Sequence, residues 1–201
     1  MASLILAGGK STRMGQDKAS LMLQGQPLLL RVAQVATQVS DRCHIITPWP
    51  ERYQTMVQAQ LPAVQWIREH GLGHGPLVGF AQGLVAIAAT ESTPNWILLL
   101  ACDLPNLDPQ VLGQWCGQLP AVKSNILAMV PKVGDRWEPL CAFYRPAILP
   151  FLEGAIAQNQ TAFQALLNHL PVQPIPLTAE QTTMLYNCNT PTDWQTVIDR
   201  L

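Results

Sequence analysis

Leu6-Ala7-Gly8-Gly9-Lys10-Ser11-Thr12-Arg13-Met14-Gly15-Gln16-Asp17-Lys18 follows directly on the apolar run Ser3-Leu4-Ile5, and the join between the two decides the fold. An apolar run this short, stopped by glycines, reads as a buried strand, and the polar stretch behind it as a loop leading to a helix. Gly8 and Gly9 let the backbone approach a ligand closely and aim N–H groups at phosphate oxygens. Arg13 adds a fork that can hold two oxygens, and Lys18 a movable point charge. An ordinary tight turn explains the glycines but not the clustered cations, so the loop is expected to hold a polyphosphate.

Two better-known phosphate motifs do not fit. Gly9-Lys10-Ser11 ends like a P-loop, but the position that should carry the first glycine is Leu4, inside the strand. Gly71-Leu72-Gly73-His74-Gly75-Pro76 resembles a dinucleotide fingerprint, but Pro76 replaces its final glycine and no suitably spaced acid follows.

Outward from the loop, short apolar runs at 3–6, 44–47, 64–67 and 96–101 predict strands. Helical patterns at 28–39, 51–60, 77–89 and 109–118 follow them, several opened by proline and the last capped by Asp108. Such alternation predicts an α/β, Rossmann-like three-layer fold: a mostly parallel central sheet with helices on both faces and ligands at the carboxyl ends of the strands. Past residue 120 the pattern loosens into strands at 126–130, 141–144 and 172–177 and helices at 147–157, 161–168 and 192–200, with a polar stretch before the last. Residues 1–201 are expected to form one domain, a nucleotide-binding half over about 1–120 and a small acceptor-binding half over about 121–201.

Composition narrows the function. Of 201 residues, 48% are hydrophobic and 12% charged, about half the roughly 25% charge of an average soluble domain, which suits a compact enzyme better than a disordered adaptor. The net charge is -1 and no basic cluster of the kind that releases counterions from a nucleic-acid backbone is present, so nucleic acid is not an expected partner. No apolar run approaches the ~20 residues of a membrane span, and the N-terminus lacks secretory features, so a cytoplasmic protein without a membrane partner is expected. Cys43, Cys102, Cys116, Cys141 and Cys188 form no Cys-x-x-Cys pair, and His44, His70, His74 and His169 lack the spacing of a helical metal site. Both sets read as structural or surface groups.

The loop, together with Gly75-Pro76-Leu77-Val78-Gly79, Asp103-Leu104-Pro105, Glu138-Pro139-Leu140 and Asn187-Cys188-Asn189-Thr190-Pro191-Thr192-Asp193, resembles the nucleotidyltransferase superfamily, and within it the molybdenum cofactor guanylyltransferases, over nearly the whole chain. The resemblance implies that Leu6, Ala7, Gly8, Gly9 and Lys18 hold the nucleotide and that Asp103 binds both nucleotide and Mg²⁺. Glu69 stands where the family places an aspartate against the nucleoside, and Thr47 where it carries an asparagine, which implies nucleotide contacts at both. Pro76-Leu77 is expected to shape the base pocket. Glu138, Pro139 and Leu140 resemble the acceptor-side motif. Asn187 and Asn189 lie in a segment from which relatives draw a second metal or acceptor contact, although asparagine in this setting equally stabilises turns.

Residue chemistry agrees at Asp103: a carboxylate just past a buried strand can hold Mg²⁺ while phosphates and waters complete an octahedron, although Asp also serves as a cap. The resemblance implies transfer of GMP from GTP to the terminal phosphate of molybdopterin, giving molybdopterin guanine dinucleotide and pyrophosphate. Arg13, Lys18 and Asp103 would carry the catalysis. It also implies cofactor-delivery or molybdenum-enzyme chaperone proteins as partners. Alternatives are a molybdopterin cytidylyltransferase, a sugar-phosphate nucleotidyltransferase, or a catalytically silent nucleotide-binding regulator. Asp17 before Lys18, with Gly75-Pro76-Leu77, resembles the guanylyl branch more.

Overall fold

The computed structural model describes residues 1–9, 14–71, 75–90 and 92–199. Its first strand, β1 (Ala2–Leu6), leads through the glycine loop and a 3-10 turn (Lys18–Ser20) to a two-stranded hairpin, β2 (Met22–Leu23) and β3 (Gln26–Pro27), and helix α1 (Leu28–Val39). Then come β4 (Arg42–Thr47), α2 (Pro50–Gln58), β5 (Gln65–Arg68), α3 (Pro76–Thr90), β6 (Ile97–Ala101) and α4 (Pro109–Cys116). The remainder runs β7 (Ala128–Val133), β8 (Arg136–Trp137), β9 (Cys141–Tyr144), α5 (Leu149–Ala157), α6 (Phe163–Leu167), β10 (Val172–Ile175), α7 (Ala179–Met184) and α8 (Pro191–Ile198).

The central sheet has the order β10-β7-β9-β6-β1-β4-β5, with β8 paired to β7 outside that path. β1 pairs parallel with both β4 and β6, β4 with β5, and β7 with β10, whereas β9 is antiparallel to its neighbours β6 and β7. The chain steps outward from β1 through β4 to β5, then returns through α3 to lay β6 on the other side of β1. Right-handed crossovers therefore put α1 and α2 on one face and α3 on the other. The reversal between β1 and β6 is the topological switch point, where loops diverge and open a crevice at the carboxyl ends of the strands.

Alternate side chains along the strands feed two cores. Ile5, Ile45, Leu98 and Leu100 pack with α1, α2 and α4, while Leu4, Ile46, Ile97 and Leu99 pack with α3, α5 and α6. With both faces covered, every residue of β6 is buried, which is why it reads as an unbroken apolar run. The predicted three-layer fold is what forms.

Three features were not anticipated. The hairpin β2–β3 turns through Gln24 and Gly25, both at positive φ (51° and 78°), without the Asn-Gly or Asp-Gly that usually signals such a turn. The polar stretch before the last helix contains α7, opened by a reciprocal capping box between Thr178 and Gln181. The two-residue strand β8 is too short to read from sequence. No helix among the described residues is long and apolar enough to cross a membrane.

Candidate active site

The switch point places the ends of β1 and β6 side by side. Cys102 N–H donates to the Leu6 carbonyl (3.2 Å), and Ala7 N–H donates to the Ile46 carbonyl of β4 (2.9 Å), so the first residues of the loop continue the sheet ladder. Thr47 Oγ also donates to the Ala7 carbonyl (2.9 Å). Thr47, where a nucleotide contact is expected, is fully buried and is not among the residues lining the cleft. The hydroxyl is turned inward to hydrogen-bond a backbone oxygen of the loop. Thr47 braces the loop from below.

Gly8 follows, and its lack of a side chain has a local cause. A Cβ there would run into the Glu69 carboxylate and crowd Pro48. Glu69 N–H donates to the Thr47 carbonyl (2.9 Å), extending the β4–β5 ladder by one bond. Its carboxylate then lies across the backbone of Gly8, and one oxygen would stand 3.3 Å from a Cβ on Gly79 of α3. Leu6, Ala7, Gly8, Gly9, Lys18, Glu69 and Asp103 share a cleft of about 410 Å³, joined by Asp17, Gly75, Pro76, Gly79 and Leu140. Pro76 is on its wall, whereas Leu77 is fully buried in the core behind it.

Lys18 is fixed by Asp17, which caps the 3-10 turn. Asp17 accepts from Ala19 N–H (3.1 Å), Ser20 Oγ (3.2 Å) and the Tyr53 hydroxyl of α2 (2.6 Å). Burial, reinforced by the hydrogen bond to Asp17, pushes the Tyr53 phenol well above its ordinary value, so it stays a protonated donor. The Lys18 ammonium reaches Asp103 Oδ2 (2.9 Å) and Asn189 Oδ1 (2.7 Å). The Lys18 and Asp103 side chains are only 16% and 14% exposed, which separates this pair from the weak ion pairs of an open surface.

The C-terminal segment docks on the same point: Cys188 N–H donates to the Asp103 carbonyl (3.1 Å). Asp193 accepts from the backbone N–H groups of Asn189 (2.9 Å) and Thr190 (2.8 Å) and from the Tyr186 hydroxyl (2.8 Å), holding Asn189 in place at the start of α8. Asn187 donates from its amide to the Leu185 carbonyl (3.4 Å) and faces a second cleft of about 310 Å³. Glu138, Pro139, Leu140, Asn187 and Asn189 all line this second cleft, together with Arg136, Thr161 and Gln164. The two clefts meet at Pro76, Asp103 and Leu140. Burial raises the Glu138 carboxyl above its usual range, with Arg136 opposing weakly.

Asp103 Oδ2 and Asn189 Oδ1 converge on one cation, the Lys18 ammonium, and such hard oxygen donors suit Mg²⁺ with phosphates and waters completing the shell. Among the described residues no cluster of three or more His, Cys, Asp or Glu could hold a metal by itself. Cys102 lines the first cleft, and burial, with the neighbouring Asp103 carboxylate, pushes its thiol up, away from the thiolate form that a nucleophilic cysteine needs. Arg13, expected to be catalytic, lies outside the described residues. The sequence reading missed Asp17 and Tyr53 as supports of Lys18, and Arg136 and Gln164 in the second cleft.

A family model described as a MobA-like NTP transferase domain matches residues 3–173. The chain is 45% identical over 193 residues to a probable molybdenum cofactor guanylyltransferase of Trichormus variabilis, covering 96% of this chain and 88% of that one. A probable molybdenum cofactor guanylyltransferase of Synechococcus elongatus is 44% identical over 196 residues, with 96% of both chains covered. Molybdopterin-guanine dinucleotide biosynthesis protein A of Archaeoglobus fulgidus has the same fold, with a TM-score of 0.78 over the full length of both chains at 22% identity. By its sequence and its fold, this chain belongs to the MobA-like NTP transferase family.

Proposed function

We propose that the chain transfers GMP from GTP to the terminal phosphate of molybdopterin, forming molybdopterin guanine dinucleotide and releasing pyrophosphate. The observation that carries this reading is the meeting of two clefts at Asp103, where Lys18 bridges Asp103 and Asn189. A nucleotide in the first cleft would present its α-phosphorus to an acceptor in the second. The names of the relatives support guanine and the molybdenum cofactor as the two substrates.

The acceptor supplies its own nucleophile. A phosphate monoester has a second pKa of roughly 6 and is mostly dianionic at neutral pH, so no general base is required. Catalysis then rests on positioning and charge neutralisation. The backbone of Gly8 and Gly9 cradles phosphate oxygens. Lys18 turns from Asp103 towards the phosphates and, with Arg13, offsets charge building on the departing pyrophosphate. Glu69, against Gly8 and Gly79, faces the nucleoside. Asp103 and Asn189 would hold Mg²⁺, which when bound supplies a Lewis acid at the α-phosphate. Residues 1–120 serve the nucleotide and residues 121–201 the acceptor, the latter through Glu138, Pro139, Leu140, Asn187 and Asn189. Free thiols at all five cysteines support a cytoplasmic setting, where cofactor-delivery or chaperone proteins would bring the acceptor.

The test is magnesium-dependent pyrophosphate release across GTP, CTP, ATP and UTP against molybdopterin and several sugar phosphates. Release with GTP and molybdopterin alone is expected. Preference for CTP or a sugar phosphate would replace the substrates, and binding without release would make the chain a silent nucleotide binder.

A further inference from the structure

We infer that Arg136 binds the phosphate of the acceptor in the second cleft, an inference that rests on the acceptor being the phosphorylated molecule proposed above. Its basis is the way β8 is anchored. Trp137 is buried, and its indole N–H donates to Asn168 Oδ1 (2.8 Å). The Gln164 side chain grips the Trp137 backbone from both sides, accepting from its N–H (3.0 Å) and donating to its carbonyl (2.6 Å), as a neighbouring strand would. Successive side chains of extended backbone point to opposite faces, so a Trp137 pinned inward turns Arg136 and Glu138 outward together. Both line the second cleft.

Charge then gives Arg136 its task. Among the described residues, the cleft wall carries two carboxylates, Asp103 and Glu138, and one cation, Arg136. Lys18 offsets Asp103 from the nucleotide side. A phosphate monoester brings a further charge of about -1.5 to -2 at neutral pH, which such a wall would repel without a guanidinium to receive it. Arg136 stands 3.8 Å from Glu138, and its side chain is 76% exposed. An ion pair so long and so open contributes little, so the guanidinium can turn from Glu138 to phosphate at small cost. A guanidinium holds phosphate by two parallel hydrogen bonds, which fixes orientation as well as position.

The experiment is steady-state kinetics on the full chain and on Arg136→Gln and Arg136→Lys, varying molybdopterin at saturating GTP and then GTP at saturating molybdopterin. Losing a bidentate charged contact should raise the acceptor KM of Arg136→Gln about tenfold or more. Arg136→Lys should fall between, since an ammonium keeps the charge but not the fork. The GTP KM and the melting temperature should stay near wild type. An unchanged acceptor KM, or equal rises in both KM values, overturns the inference while leaving the parent reading intact. A wild-type protein that transfers nothing to molybdopterin overturns both.

Discussion

Lys18 and Asp103, 85 positions apart in the chain, meet as a 2.9 Å ion pair where the loop after β1 faces the end of β6. The same ammonium also holds Asn189 from the C-terminal segment, so three distant parts of the sequence close on one nitrogen. In the proposed reaction, Asp103 would hold Mg²⁺ and Lys18 would face the phosphates. Lys18→Ala and Asp103→Ala should each lower kcat/KM by about a hundredfold or more, since both act on charge developed in the transition state. Each single variant also leaves a part-buried charge without its partner, whereas the double variant leaves neither. The double variant should therefore melt above the sum expected from the two singles, and additive melting shifts would show that the pair is not coupled.

Tyr53 acts one step further back. Its hydroxyl donates to Asp17, and Asp17 caps the turn that starts at Lys18. Tyr53→Phe keeps the ring and removes that bond, which should cost roughly 1 kcal/mol of stability. Asp17 retains its contacts to Ala19 and Ser20, so the turn should loosen rather than unfold. The expected outcome is a several-fold drop in kcat with the acceptor KM unchanged, read from initial rates beside a urea melt. Full activity in a destabilised variant would confine Tyr53 to the core.

Strands such as β1, β4, β6 and β9 were legible because burial on both faces writes apolar runs such as Ile97–Ala101 directly into the sequence. Asp103 was legible for the same reason, as the first carboxylate past such a run. The supports were not. Tyr53 meets Asp17 across 36 residues, and Gln164 grips Trp137 across 27, pairings that topology creates and no local spacing announces. Thr47 shows the converse: its place at a strand end was readable, but whether its hydroxyl faces ligand or backbone depends on the Ala7 carbonyl beneath the loop. The capping box of α7 is written in the sequence as Thr178-x-x-Gln181, but the stretch lacks the apolar run that would mark a helix behind it.

Gly8 and Glu69 make a second coupled pair. A methyl group on Gly8 would occupy the space of the Glu69 carboxylate, so Gly8→Ala must push that side chain aside or move the loop. The GTP KM should rise at least about tenfold, because the loop backbone loses its close approach to phosphate. Shortening the neighbour opens room: Gly8→Ala combined with Glu69→Asp should bind GTP better than Gly8→Ala alone. A double variant no better than the single would place the damage in the loop backbone rather than in the contact with Glu69.

Glu138 gives stability a pH dependence of known sign. Burial raises its carboxyl in the folded protein, and Arg136 at 3.8 Å offsets only part of that. The folded chain therefore keeps this proton to higher pH than the unfolded chain, whose Glu titrates near about 4.3. Between those two values the folded state binds more protons, so the contribution of Glu138 is present at low pH and is lost as pH rises through the folded value. A glutamine at this position cannot titrate and keeps a similar shape. Glu138→Gln should melt close to wild type at pH 4, then gain on it as pH rises towards 7, and level off once the wild-type carboxyl is ionised in both states. Adding Arg136→Gln removes the nearby positive charge, so the stability gained by Glu138→Gln at neutral pH should widen in that background. Thermal melts of the four proteins across the pH series decide the matter: a Glu138→Gln effect that is constant at every pH would mean that the carboxyl is solvated well enough to titrate as it does in the unfolded chain.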